Sequence, residues 1–122
     1  MATLELDFNE ANEVVNEAIN GRGIFQTEAE WLEAFYQNTE RQLLDIYEAA
    51  RIGAWRIYDR ERAATYWEEQ SKWFADILRN LERTQGSIWA SKASFEIPAL
   101  LSAIQTVNDI IGACLAAYEL HA

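Results

Sequence analysis

The chain has 122 residues, half of them hydrophobic, and ten Lys and Arg against twenty Asp and Glu give it a formal net charge of −10. This length suits one domain with a real core, and the acidity excludes a general nucleic-acid binder and disfavours anionic membrane surfaces. Five Gly and one Pro leave few tight turns, so we expect residues 1–122 to form a single helical domain.

The first predicted helix spans roughly residues 8 to 20. Asp7 and Glu10 fit a capping box, in which the Asp7 side chain accepts from a first-turn amide and the Glu10 side chain accepts from the amide of Asp7. Gly21 stands where a helix end needs a left-handed residue, and Gly23 loosens the link that follows. Apolar residues fall near one face: Phe8, Ala11, Val15, Ala18 and Ile19. Glutamates form the opposite stripe: Glu10, Glu13 and Glu17.

A second capping box, Thr27 to Glu30, predicts the start of a second helix. Apolar positions then recur in steps of three, four or seven: Leu32, Tyr36, Leu43, Ile46, Ala50, Gly53, Ile57, Ala64, Trp67, Phe74, Leu78 and Leu81. Two alternatives fit this pattern. Residues 28–84 form one long helix, or the segment breaks near Tyr58-Asp59 and Asp59 caps a third helix. We expect the break, because helices in globular proteins average about eleven or twelve residues.

Residues 83–87 predict a loop around Gly86, and residues 87–96 suit either a short helical turn or an ordered connection. Pro98 fits the first turn of a last helix, about 98 to 120. Its predicted stripe is Leu101, Ile104, Ile111, Leu115 and Tyr118, widened by Leu100, Val107, Ile110 and Cys114. Such an apolar helix is either central or part of an oligomer interface. The predicted fold is an all-α bundle of about four helices.

The chain lacks the features of secretion and membrane insertion. Its N-terminus has no basic start followed by an apolar run, which a signal peptide needs. The apolar stretch from Ile97 to Leu120 contains Asn108, Asp109 and Glu119, which hydrocarbon penalises. Cys114 is the single cysteine, so neither an intrachain disulfide nor a cysteine-based zinc site can form. We therefore expect a cytoplasmic protein with no transmembrane segment.

Two acidic pairs, Glu30-x-x-Glu33 and Asp45-x-x-Glu48, resemble the paired motifs of all-helical nucleotide pyrophosphatases. The resemblance implies a Mg-dependent nucleotide hydrolase. The second pair is in reversed order, and on one helix the pairs stand about 22 Å apart. They converge if the helix breaks near residues 37–39. The chain has one histidine, His121, so the two Glu-x-x-His pairs of a di-iron bundle are missing. We expect no catalytic residues, metal or cofactor.

Acidity is concentrated in residues 1–50, which hold eleven acidic residues against Arg22 and Arg41, or −9 of the total −10. Rows of carboxylates on helices can imitate nucleic-acid phosphates, although first-turn acids also stabilise the helix dipole by about 0.3–1 kcal/mol each. The predicted partner-binding acidic face is Glu10, Glu13, Glu17, Glu33, Glu40 and Glu48. A local basic cluster could pair with these acids, either within the chain or across a dimer: Arg51, Arg56, Arg60 and Arg62.

The long predicted helices carry more aromatic residues than one four-helix core requires. Trp, Tyr and Arg dominate protein–protein contacts, so we predict an aromatic and apolar interface formed by Trp31, Trp55, Tyr66, Trp73, Ile110 and Leu115. The predicted function is a non-catalytic acidic protein-binding module that self-associates, most simply as a dimer, and meets a basic protein surface. Its sharpest form is an inhibitor of a nucleic-acid-handling protein, as found among viral and mobile-element proteins. A structural homo-oligomer subunit is the first alternative, and the hydrolase is the second.

Overall fold

The computed structural model describes residues 8–21, 25–91 and 96–121. Within these ranges the chain is an all-α bundle of four helices: α1 (Phe8–Ile19), α2 (Phe25–Ala54), α3 (Arg60–Ala90) and α4 (Pro98–His121). This confirms the predicted fold class. Asp7, Gly23 and residues 92–95 lie outside the described residues, so capping by Asp7 stays a prediction. Gly21 has a positive φ of 71°, as its predicted place after α1 requires.

The long heptad-patterned segment is two helices, not one. α2 ends at Ala54, and a turn follows in which the amide of Ile57 donates to the carbonyl of Ala54 at 3.0 Å. Asp59 is extended (φ −80°, ψ 121°) and its carboxylate accepts from the amide of Arg62 at 3.1 Å. This is the N-cap geometry that starts a new helix. The predicted break at Tyr58-Asp59 is therefore confirmed.

The buried residues of the three long helices follow steps of three and four. On α2 they are Leu32, Tyr36, Thr39, Leu43, Ile46 and Ala50. On α3 they include Ala64, Trp67, Ser71, Phe74, Ile77, Leu81, Thr84 and Ile88, and on α4 Leu100, Ala103, Val107, Ile110 and Cys114. This spacing keeps one seam of each helix turned toward its neighbours, as in a coiled coil.

α4 is the central helix, since it packs along both α3 and α2. The guanidinium of Arg60 donates to the carbonyls of Leu120 and His121 at 3.1 Å, so α3 begins beside the end of α4 and the pair is antiparallel. Small residues in both seams, such as Ser71 and Ala103, let these two helices approach closely. α2 and α3 meet instead through large side chains, for example the Tyr47 and Trp67 rings with centroids 6.5 Å apart.

Two predicted boundaries are wrong. The loop predicted at residues 83–87 is helical, and α3 runs on through Gly86 to Ala90. Thr84 and Ile88 are buried and continue the seam of α3, so packing overrides the single glycine. The box predicted at Thr27 does not cap α2 either, because α2 begins at Phe25 and places Thr27 in its first turn.

The predicted stripe of α4 is also wrong. Leu101 and Leu115 of this stripe are exposed. The core instead contains the small residues Ala99 and Ala103, together with the residues that were predicted only to widen the stripe: Leu100, Val107, Ile110 and Cys114. Both faces of α4 carry apolar residues, so the spacing of the larger apolar residues did not show which face is buried. α4 is also long and apolar enough to cross a membrane, but the core helix of a soluble protein can have the same length and composition.

Candidate functional site

The acids of α1 form a row on the outer face of the bundle. Ala11 and Val15 on the opposite face of α1 are buried in the core, and the rings of Phe8 and Phe35 meet edge to face at 5.8 Å. The outer row is Glu10, Glu13 and Glu17, all exposed, and we call it the α1 ridge. α1 contains no Lys or Arg. Its charge is therefore uncompensated within the helix.

A polar cluster beneath the ridge fixes α1 against α2 and α3. The hydroxyl of the buried Thr84 lies 3.0 Å from Asn12 Oδ1 and 3.1 Å from the carbonyl of Asn80. The hydroxyl of Tyr36 also hydrogen-bonds Thr84, and burial raises the pKa of Tyr36. Buried polar groups that satisfy one another in this way select one arrangement of the helices. The ridge is consequently held in a defined position.

Two residues of the predicted acidic face bind α4 of the same chain. The carboxylate of Glu33 accepts from the amide of Ala99 at 2.5 and 3.1 Å, which caps the start of α4, where a negative charge is stabilising. Seven residues later, Glu40 accepts from the hydroxyls of Ser102 and Thr106, both at 2.8 Å. Because these contacts join α2 to α4 in the same order along both helices, the two helices run parallel. Glu33 and Glu40 thus contribute to packing.

Glu48 forms an exposed ion pair with Arg51, with 3.1 Å between Oε2 and the guanidinium. The two residues are three apart on α2, a spacing at which side chains of one helix are neighbours. Of the six residues in the predicted acidic face, Glu33, Glu40 and Glu48 are therefore engaged with other groups of the same chain, and the other three form the α1 ridge.

The predicted basic cluster lies at the other end of the bundle, at the α2–α3 corner. Arg51 meets Glu48, and Arg60 binds the carbonyl groups at the end of α4. Arg56 and Arg62 are exposed. α2 has 30 residues, so its two ends are about 45 Å apart. The cluster therefore lies away from the α1 ridge, and at the corner its arginines alternate with the exposed acids Asp59 and Glu61.

The residues of the predicted interface are divided between surface and core. Trp31, Trp55, Trp73 and Leu115 are exposed, with Trp55 the most so at 71%. Ile110 is buried among the core residues of α4, so it is not on the surface of the single chain.

Tyr66 is half-buried and belongs to the α2–α3 contact. Its hydroxyl donates to the carbonyl of Ala50 at 2.7 Å. A Cβ on Gly53 would lie 3.1 Å from that hydroxyl, so this glycine leaves room for the bond. Tyr66 thus satisfies a backbone carbonyl near the end of α2, and its polar end is already engaged within the chain.

The geometry gives little support to the acidic pairs as a metal site. α2 is continuous through residues 37–39, so the two pairs remain on one helix, and Glu33 is engaged with α4. Among the described residues no group of three or more His, Cys, Asp and Glu could hold a metal ion. Cys114 is fully buried and its pKa is raised by burial to about 11, so its thiol is protonated at neutral pH and is a poor nucleophile.

No family model, curated protein or solved structure matches this chain. The candidate site therefore rests on the position and charge of its own residues.

Proposed function

We propose that this chain is a non-catalytic protein-binding module that presents the α1 ridge to a basic surface on a nucleic-acid-handling protein. The observation that supports it is a row of three exposed carboxylates on a helix without basic residues, held in place by a buried polar cluster. Glu13 and Glu17 are four residues apart and therefore neighbours on one helical face.

The density of charge along the ridge suits imitation of a phosphate backbone. Glu10 and Glu17 are separated by about 10 Å along the helix axis, at ~1.5 Å per residue. Three charges over this distance are about 5 Å apart along the axis, a somewhat wider spacing than that of a single DNA strand, which carries one charge per about 3.4 Å. A basic groove that binds DNA would meet a similar row of negative groups on α1, and binding would exclude the nucleic acid.

Displacement of DNA tests the proposal. Purified proteins with basic DNA-binding grooves are each loaded with a fluorescent duplex, and this chain is titrated in while anisotropy is followed. We expect displacement from at least one of them, weakening as salt is raised because the contact is electrostatic. The double variant Glu13→Lys, Glu17→Lys should lose at least about tenfold in apparent affinity, as expected for close charge pairs.

A matched control separates the ridge from net charge. Glu82 on α3 and Glu119 on α4 are exposed, and the variant Glu82→Lys, Glu119→Lys has the same net charge as the ridge variant. It should displace DNA as well as the wild type does. Equal weakening of both variants, or no displacement from any protein in the panel, would contradict the proposal.

A structural homo-oligomer subunit is the second candidate, and the outer face of α4 favours it. Leu101, Leu115 and Leu120 on this helix are exposed large apolar residues, and clusters of such residues mark contact surfaces. Light scattering across a wide range of concentrations tests this function. Growth into large assemblies supports it, and a discrete small species at every concentration contradicts it.

A further inference from the structure

Asn20 and Gly21 form the turn that follows α1. Both residues are exposed, and Gly21 has a positive φ of 71°. The amide of Gly21 donates to the carbonyl of Ala18 at 3.2 Å, which is the long end of the normal range for such bonds. A glycine can rotate away from this conformation without steric penalty, because it has no Cβ. The backbone between Asn20 and Gly21 is therefore less constrained than the backbone inside a helix.

An asparagine followed by a glycine places an electrophile and a nucleophile next to each other. The side-chain amide carbon, Cγ of Asn20, is the electrophile, and the backbone nitrogen of Gly21 is the nucleophile. Bond formation between them closes a succinimide ring, and the backbone at the asparagine must leave the helical conformation for the ring to close. A side chain on the following residue hinders this approach. Glycine has none, so the sequence and the local backbone both favour ring closure at this turn.

The other asparagines of the chain lack this combination. Each lies within a helix, where regular hydrogen bonding fixes the backbone, and each is followed by a residue that has a side chain. They are Asn9, Asn12, Asn16, Asn38, Asn80 and Asn108. Asn16 serves as an internal comparison, because it is exposed on α1 and is followed by Glu17. Exposure is thus shared with Asn20, whereas the flexible turn and the glycine are not.

We propose that Asn20 is a site of spontaneous deamidation, which adds a fourth negative charge to the α1 ridge. The nitrogen of Gly21 bonds to Cγ of Asn20, and the bond from Cγ to the side-chain nitrogen breaks. The proton from the Gly21 amide passes through water to this leaving group, which departs as ammonia. Water then opens the ring and the Gly21 nitrogen regains a proton. Opening at Cγ gives aspartate, and opening at the backbone carbonyl gives isoaspartate.

The new carboxylate lies on the same outward side of α1 as the ridge. Asn20 follows Glu17 by three residues and Glu13 by seven, and residues at these spacings are neighbours on one helical face. The amide of Asn20 donates to the carbonyl of Asn16 at 3.0 Å, so the last helical turn still includes it. The effect on binding rests on the proposed function, because a basic surface then meets four carboxylates in a row instead of three.

The same charge weakens the end of α1. A negative charge near the C-terminus of a helix is unfavourable, because the helix dipole is negative there. Isoaspartate also inserts the side-chain methylene into the backbone, which moves the amide of Gly21 away from the carbonyl of Ala18. Hydrogen exchange in the last turn of α1 therefore reports the modification independently of any partner.

Incubation of the full chain at body temperature and mildly alkaline pH tests the modification. Mass spectrometry of tryptic peptides locates it, and electron-based fragmentation distinguishes isoaspartate from aspartate. We expect Asn20 to convert at least about tenfold faster than Asn16, a difference in barrier of about 1.4 kcal/mol. Hydrogen exchange in the last turn of α1 should accelerate as the wild type ages.

The variant Asn20→Gln is the control for ageing. Ring closure on its longer side chain is slow, so this variant should keep its mass and its rate of hydrogen exchange over the same period. Circular dichroism checks that both proteins stay folded. Conversion of Asn20 no faster than that of Asn16 in the folded wild type would overturn the inference.

Displacement of DNA measures the effect on the ridge. The variant Asn20→Asp has the sequence of one product and should bind a basic protein about twofold to fivefold more tightly than the fresh wild type, as one exposed ion pair allows. Asn108→Asp adds the same charge at an exposed position on α4 and should displace DNA as the wild type does. Equal effects of the two variants would overturn the link to the ridge. If no form displaces DNA while Asn20 still converts, the proposed function fails and the modification stands, so the two failures are distinguishable.

Discussion

Glu40 on α2 accepts a hydrogen bond from the Thr106 hydroxyl on α4 at 2.8 Å. Ser102 donates to the other oxygen of the same carboxylate, also at 2.8 Å. A residue predicted to meet a partner thus joins two helices of its own bundle. The consequence is that acidity in the first half of the sequence serves two purposes, packing on α2 and surface charge on α1.

Replacement of Glu40 by Ala should lower the free energy of unfolding by about 1 kcal/mol. Hydrogen bonds to charged groups contribute more than neutral ones, but this carboxylate is partly exposed and solvent reduces its contribution. Urea denaturation measures the change. Glu48→Ala removes an exposed pair with Arg51 and should cost less than about 0.5 kcal/mol. Equal losses in the two variants would contradict the role given to Glu40.

Replacement of Thr84 by Val should loosen α1. The variant keeps the shape of the side chain but removes the hydroxyl shared with Asn12 and Tyr36. A buried polar group left without a partner costs about 1–3 kcal/mol. Hydrogen exchange should accelerate in α1 more than in α4. Thr65→Val, at an exposed position on α3, is the control, and faster exchange of α1 in both variants would refute the polar anchor.

Stability should fall at alkaline pH because of Cys114. Burial raises the pKa of its thiol from 9.0 to about 11, so between these values the unfolded chain loses a proton that the folded chain keeps. The contribution of the thiol to the free energy of unfolding is fully present below pH 9. It is lost as pH rises toward 11, by at most about 1.4 kcal/mol per pH unit. Tyr36, whose pKa is also raised, adds a loss above pH 10.

The variant Cys114→Ala isolates the thiol. Its stability at pH 8 should be lower, because a buried group is removed, but its urea midpoint should change less between pH 9 and pH 10. The measurement is the slope of unfolding free energy against pH in the two proteins. Identical slopes would show that Cys114 does not carry the effect.

The break between α2 and α3 should depend on the side chain of Asp59. Loss of an N-cap costs about 1 kcal/mol, so Asp59→Ala should lower the unfolding free energy by that amount in urea denaturation. Asp59→Asn retains an acceptor for the amide of Arg62 and should change it by a few tenths. Equal losses in the Asn and Ala variants would argue that charge, not capping, is what the position requires.

The number of long helices and the break between them could be predicted from the sequence, because heptad spacing and the cap at Asp59 are local signals. The buried face of α4 could not, since Ala99 and Ala103 occupy the core while Leu101 is exposed. Small residues are buried where two helices approach closely, which spacing alone does not show.

Contacts between helices that are distant in the sequence could not be predicted either. Ala99 and Thr106 lie 66 residues from the glutamates that bind them, and a pairing of this kind depends on the register of parallel α2 and α4. The spacing of residues along a single helix does not indicate the pairing between α2 and α4. The exposed row on α1 could be predicted, because it follows from the 3.6-residue period of a single helix.

Carboxylate footprinting tests most directly whether the α1 ridge is the surface that partners use. Exposed acids are coupled to an amine in the free chain and in a complex with a basic protein selected by DNA displacement, and mass spectrometry locates the modified sites. We predict that Glu13 and Glu17 react readily in the free chain and become protected in the complex, while Glu82 and Glu119 react equally in both. Protection of Glu82 and Glu119 with continued reaction of Glu13 and Glu17 would contradict the account.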